Sequence, residues 1–151
     1  MKKYEFTGET KQVGFFGNIT LKRIRATMEF GIIKIGDLGG WIEKEENLSH
    51  KGDAWVYGNA EVWGNAKVYG NAEVFSISHV LVVGPIGSRN DFTTFFRDKD
   101  SEITVKCGCF LGKIDKFLEK VCETHGDSKY AIVYRTAAEI AKQQIDLSEE
   151  N

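Results

Sequence analysis

A chain of 151 residues, 42% hydrophobic and 28% charged, has room for one domain or two small ones and is too apolar to remain disordered. Its 20 basic and 22 acidic residues leave a net charge of -2, which gives no bulk attraction to nucleic acid or an anionic membrane, so direct DNA binding is not expected. No apolar run approaches the ~20 residues that span a bilayer, no signal-peptide core follows Met1-Lys2-Lys3, and three cysteines without framework spacing suit a reducing compartment, so the cytoplasm is the expected location.

From the N-terminus, Lys2 to Arg25 alternates weakly between apolar and polar residues and is broken by Thr7-Gly8 and Gly17-Asn18. That pattern predicts two short strands in a hairpin, and Ile32 to Leu38 is predicted to continue as strand. Residues 1–37 are expected to cap the lower end of a central stack of repeats, because such a stack must hide its exposed terminal strand.

The repeat itself is unmistakable. Gly52 to Phe75 is four gapless copies of a six-residue unit: Gly-Asp-Ala-Trp-Val-Tyr, Gly-Asn-Ala-Glu-Val-Trp, Gly-Asn-Ala-Lys-Val-Tyr and Gly-Asn-Ala-Glu-Val-Phe. Alternation puts Ala54, Val56, Ala60, Val62, Ala66, Val68, Ala72 and Val74 on one small apolar face and Trp55, Glu61, Lys67 and Glu73 on the other. The Gly-Asn pairs tolerate positive φ, so the chain turns after every short strand. A meander of hairpins would leave strands of about four residues, whereas a coil of about 18 residues per turn pairs every strand in parallel. Stepping back by six from Ala54 reaches Leu48 and Ile42, which extends the predicted coil over residues 38–80.

Val56 with Ala60, Val62 with Ala66 and Val68 with Ala72 resemble the aliphatic-then-small pattern of hexapeptide-repeat proteins. The resemblance implies a short left-handed parallel β-helix of about two coils. Tyr57, Trp63 and Tyr69 depart from it, since that family keeps small or acidic residues there. The best-known members are acyltransferases, but function on such a scaffold lies in grafted sites.

After Phe75 the period is lost, and residues 81–151 are expected to form a C-terminal α/β module. Ile77 to Val83 is a β-branched run that ends in Gly84-Pro85-Ile86-Gly87-Ser88-Arg89-Asn90. Phe92 to Phe96 and Glu102 to Cys107 predict a hairpin. Ile114, Phe117, Leu118, Val121 and Cys122 define one face of a helix over 113–124, which Gly126 stops. A second helix, capped by Asp127 or Ser128, runs to about Ile145 and turns Tyr130, Tyr134, Ala137, Ile140 and Ala141 inward. The predicted class is therefore mainly β with an α+β C-terminal part: a hairpin cap, a two-coil β-helix, a hairpin and two helices. The order of hexapeptide coil, Ile86 to Asn90, Thr104-Val-Lys-Cys-Gly-Cys-Phe110 and Glu123-Thr-His-Gly-Asp127 resembles small proteins encoded by phages and prophages, which implies a viral origin.

Four constellations could bear function. An acyltransferase needs a histidine base; His50 and His79 do not fall in one column of the coil, which argues against such a site on it, and His125 or His79 would be the base if the chain is an enzyme. Cys107, Cys109, Cys122 and His125 have the chemistry of a metal site, but Cys-x-Cys is not a common zinc knuckle, and buried free thiols are the preferred account, with no metal and no cofactor. The turn bearing Ser88, Arg89 and Asn90, placed at the junction of coil and module, could grip an anion through Arg89. Aromatics at the coil edges, Tyr57 under Phe75 with Trp63 and Tyr69 on the other two, suggest an interface. The functional expectation is a non-catalytic, phage-encoded binding protein, a homo-oligomer (dimer or trimer). It would inhibit a host protein, such as a CRISPR effector, or sequester a signalling nucleotide at Arg89. An acyl- or nucleotidyl-handling enzyme and a structural virion component are the alternatives.

Overall fold

The hexads pair in parallel and not as hairpins. In the computed structural model, which describes residues 1–148, strand β4 (Trp55–Val56) lies beside β6 (Glu73–Val74), with Trp55 opposite Glu73 and Val56 opposite Val74. Strand β3 (Leu38–Ile42) lies beside β5 (Glu61–Val62), and Leu48 bridges to Val68 in the same sense. Aliphatic side chains therefore stack on one another, Val56 on Val74, Ile42 on Val62 and Leu48 on Val68, and the alanine and valine face is buried from Ala54 to Val74. Each valine removed from water stabilises the stack by about 1.5 kcal/mol or more.

The register departs from a uniform six-residue step. Val56 faces a residue 18 further on, but Ile42 faces Val62 and Leu48 faces Val68, both 20 further on. Ile42 and Leu48 thus belong to the valine column, not to that of Ala54, and two extra residues lie between Leu48 and Trp55. The bulge they create, Ser49 to Asp53, is held by the N-terminal strand. Lys3 is 1% exposed, and its Nζ donates to the carbonyls of Gly52 at 3.1 Å and Ala54 at 2.6 Å. Burial draws that ammonium down to about 8, against the opposing pull of Asp53. His50 leaves the column and stacks on Tyr4 at 4.0 Å.

Gly40 and Asn47 show how narrow the interior is. A Cβ on Gly40 would lie 2.5 Å from the Ala60 carbonyl oxygen and 2.7 Å from Val56 Cγ1, so no side chain fits there. Asn47 is fully buried; its Nδ2 donates to the carbonyls of Gly64 and Ala66, and its Oδ1 accepts from the N–H groups of Glu43 and Lys44. All of its capacity is used, which is the condition for burying an amide.

The N-terminal segment is the expected hairpin, β1 (Tyr4–Val13) and β2 (Ile19–Ala26), and β2 pairs antiparallel with β3. Residues 32–37 are not strand: Phe30 bridges to Ile33 and the chain turns, leaving Ile32 and Ile35 exposed. Trp55, expected on the outer face, is 1% exposed because Tyr4, Ile24 and Phe30 pack over it. The cap therefore covers a side of the stack as well as its end.

In the C-terminal part, β7 (Val80–Ile86), β8 (Asp91–Arg97), β9 (Ile103–Cys107) and β10 (Phe110–Lys113) form a four-stranded antiparallel sheet in the order β10-β9-β8-β7. Two helices follow, α1 (Ile114–His125) and α2 (Lys129–Gln144). The molecule is thus mainly β with two C-terminal helices, and its sheets are open. Strand β8 separates two cores: Phe96 packs with the valines of the coil, and Phe95 packs with Phe117, Val121 and the alanines of α2. Period-2 alternation is what lets neighbouring phenylalanines serve opposite sides.

Candidate functional site

The cavity of chemical interest lies on the helix side of β8, away from the coil. The turn Gly87 to Asn90 joins β7 to β8 and closes with Asn90 N–H donating to the Gly87 carbonyl. A Cβ on Gly87 would fall 1.8 Å from the Tyr134 hydroxyl, so glycine is required for α2 to seat that tyrosine against the turn. Ser88 and Arg89, the two central residues of that turn, border a cavity of about 270 Å³ with Asp91, Cys107, Phe117, Lys120, His125 and Tyr134 among its walls. The expectation that this turn opens on the coil is corrected: every residue around the cavity comes from the C-terminal part, because β8 stands between the two.

The walls are arranged in depth. Phe117 meets Tyr134 edge to face at 5.7 Å and tilts against Phe110 at 5.7 Å, making an aromatic floor. His125 lies over Tyr134 with ring centroids 5.7 Å apart and 27° between planes. Arg89 and Lys120 are exposed at the rim, where Asp91 is the carboxylate. The half-buried Cys107 sits opposite Thr93 across the β8–β9 ladder, and Thr93 Oγ1 donates to its Sγ at 3.3 Å. Burial raises the Tyr134 pKa, the neighbouring Cys107 and Asp91 raise it further, and Arg89 opposes them.

The four-ligand cluster does not form. Strand β9 ends at Cys107, and the two-residue turn Gly108-Cys109 reverses into β10, so Cys109 is at an exposed hairpin tip and not on the strand face of Cys107. Cys122 is exposed on α1 and borders none of this cavity. Among the described residues, the acidic, thiol or imidazole group whose ligand atoms converge is Asp98, Asp100 and Glu102. Lys113 Nζ lies 2.7, 2.9 and 2.9 Å from those three carboxylates, so a cation of the chain already occupies their centre.

His79 is removed from the role of base by its place in the fold. It is 2% exposed, and its Nδ1 accepts from the Phe75 N–H at 3.0 Å. Burial and then the adjacent Arg97 guanidinium lower its pKa, with Asp146 opposing. The coil-edge aromatics are half-buried. Tyr57 stacks on Phe75 at 4.4 Å, Trp63 lines a groove with Ile77, Val80 and Val82, and Lys106 lies over Tyr69 at 5.3 Å. Trp63 and Tyr69 are thus partly covered by the C-terminal strands and the preceding turn, whereas Tyr57 borders the N-terminal segment at Phe30 to Ile33.

Lys120, Thr93 and the pocket roles of Phe117 and Tyr134 were not evident from sequence. Phe117 and Tyr134 are legible only as members of apolar stripes, and Lys120 as one of several helix-surface cations. The available signal was the Gly87 turn, whose need for glycine becomes meaningful once Tyr134 is placed.

No protein-family model matches the chain. A 62-residue stretch is 32% identical to a protein of Escherichia coli (strain K12) described as the uncharacterized acetyltransferase YdcK, a match covering 38% of this chain and 19% of that protein. The chain thus spans about a fifth of the length of this curated relative. That similarity overturns the expectation of a non-catalytic protein and points towards an enzyme. Among the described residues, no helix is long and apolar enough to cross a membrane.

Proposed function

We propose that the protein is an acyl-handling enzyme that binds an anionic, carrier-linked acyl group in the cavity beside α1. The observation that carries this reading is the meeting of Arg89, Lys120 and His125 at one aromatic-floored cavity. Arginine and lysine at a rim attract phosphate or carboxylate groups, and the Phe117–Tyr134 floor suits the apolar part of a ligand. His125 is the general base. The repeat region is the scaffold: its parallel stack is taken as about two turns of a left-handed β-helix. Its edges, through Trp63 and Tyr69, are the surface for a dimer or trimer. The acetyltransferase named among its relatives supports the reaction class.

The test is incubation with acetyl-coenzyme A while free thiol release is followed. Wild-type protein should release thiol; His125→Ala should lower kcat by about 10²–10⁴-fold, and Arg89→Glu should raise KM. A wild type that neither binds nor consumes acetyl-coenzyme A or other short acyl thioesters would remove this reading.

A further inference from the structure

We propose that Cys107 is a covalent acyl acceptor, a nucleophile that takes the acyl group from a thioester before a second substrate removes it. This deepens the acyl-handling reading and rests on it for the identity of the carrier. Two observations single out Cys107 among the cysteines. It is the half-buried thiol and lies in the cavity wall, whereas Cys109 and Cys122 are exposed; Cys109, though at the same cavity, occupies a hairpin tip. The Thr93 hydroxyl donates to its sulfur at 3.3 Å from the neighbouring strand. A hydroxyl donor aimed at the sulfur stabilises negative charge as it develops on that atom, which is what attack on a carbonyl requires.

The step balances without an oxidant or a metal. The Cys107 sulfur attacks the thioester carbonyl carbon, a new C–S bond forms, and the carrier C–S bond breaks. The thiol proton ends on the departing carrier sulfur, and His125, in the same wall, can transfer it. In the second half an amine or hydroxyl acceptor attacks the Cys107 thioester, takes the acyl group and returns its proton to the sulfur. Arg89 and Lys120 at the rim favour a carrier with phosphate groups over a neutral one.

The experiment maps adducts on the wild-type protein, so it does not depend on any variant folding. The protein is incubated separately with acetyl-coenzyme A, with a small neutral acetyl thioester and with iodoacetamide, and the modified peptides are assigned by mass spectrometry. Iodoacetamide should label Cys109 and Cys122 before Cys107, following exposure. Both thioesters should acetylate Cys107 first, acetyl-coenzyme A about tenfold faster at low salt, and neutral hydroxylamine should remove the adduct. Thr93→Val should slow acetylation of Cys107 and leave iodoacetamide labelling of Cys109 unchanged. Acetylation that follows exposure, or consumption of acetyl-coenzyme A with Cys107 unmodified in a quenched reaction and undiminished turnover in Cys107→Ser, would overturn the proposal while leaving the acyl-handling reading standing. Labelling of Cys107 by the small thioester, with acetyl-coenzyme A neither bound nor consumed, would support the nucleophile and defeat the carrier.

Discussion

The coil and the C-terminal sheet with its helices use residues in opposite ways. In the coil a small set of residues recurs, aliphatic lies over aliphatic, and the narrow interior leaves Gly40 no space for a methyl group. In the C-terminal part no residue type recurs in register, and two helices close over an open sheet without filling the corner beside Cys107 and Arg89. A repeat optimises every position against a copy of itself, which yields a stiff body with few places for chemistry. An irregular layer leaves gaps, and gaps lined by unlike side chains can bind and react.

If the comparison holds, coil substitutions should act on stability and cavity substitutions on function. The largest effect is expected from Val62→Asp or Ala66→Trp, which place a charge or an indole among fully packed valines and alanines. Each should cost several kcal/mol against a total of about 5–15 and leave the chain unfolded by circular dichroism. A folded Val62→Asp protein would break the comparison.

An intermediate and pH-dependent effect is expected at the seam. Burial alone would raise the Asp98 pKa, but hydrogen bonds from Lys113, Thr104 and the N–H groups of Asp100 and Glu102 outweigh it and hold the carboxyl below the ordinary range. Its contribution to stability is therefore complete above the unfolded carboxylate value of about 3.9 and is lost as pH falls through the lower folded value. In urea melts, Asp98→Asn should be less stable than wild type by about 1–3 kcal/mol at pH 7. The gap should narrow once the pH drops below about 4. A gap that stays constant down to pH 2 would show that the charge is not what Asp98 supplies.

Smallest of all should be Glu61→Lys on the outer face of the coil. Glu61 pairs with Lys11 at 2.6 Å, with both side chains about one-third exposed, so the loss should be about 1 kcal/mol or less. A thermal melt that ranks this variant with Val62→Asp would mean that the inward and outward columns are misassigned.

The parallel pairing was legible because Ala-x-Val recurs without interruption from Ala54 to Val74, and both α-helices were legible from their apolar spacing. The phase of the first coil was not. His50 and Lys51 look like ordinary loop residues, and the two-residue excess they create becomes visible only when Leu48 is found opposite Val68. Nor could local pattern reveal β10, because Phe110-Leu-Gly-Lys113 merges into the start of α1. Arg89 and Ser88 stood out in sequence through their glycine turn, but what they border depends on α2 folding back from more than forty positions away. A nearest-neighbour pattern cannot encode that closure.

Strand β8 gives the molecule a mechanical property that its division into cap, coil and module hides. Phe96 is committed to the coil and Phe95 to the helices. Thr94 Oγ1 accepts from the Lys67 N–H, and Lys99 N–H donates to the Asn71 carbonyl. Pulling the coil away would strip one side of a strand whose other side supports the cavity floor. The amides of β8 should therefore exchange with solvent only when the whole chain opens, and a change in how tightly the cavity is filled should be felt as a change in the stiffness of the coil.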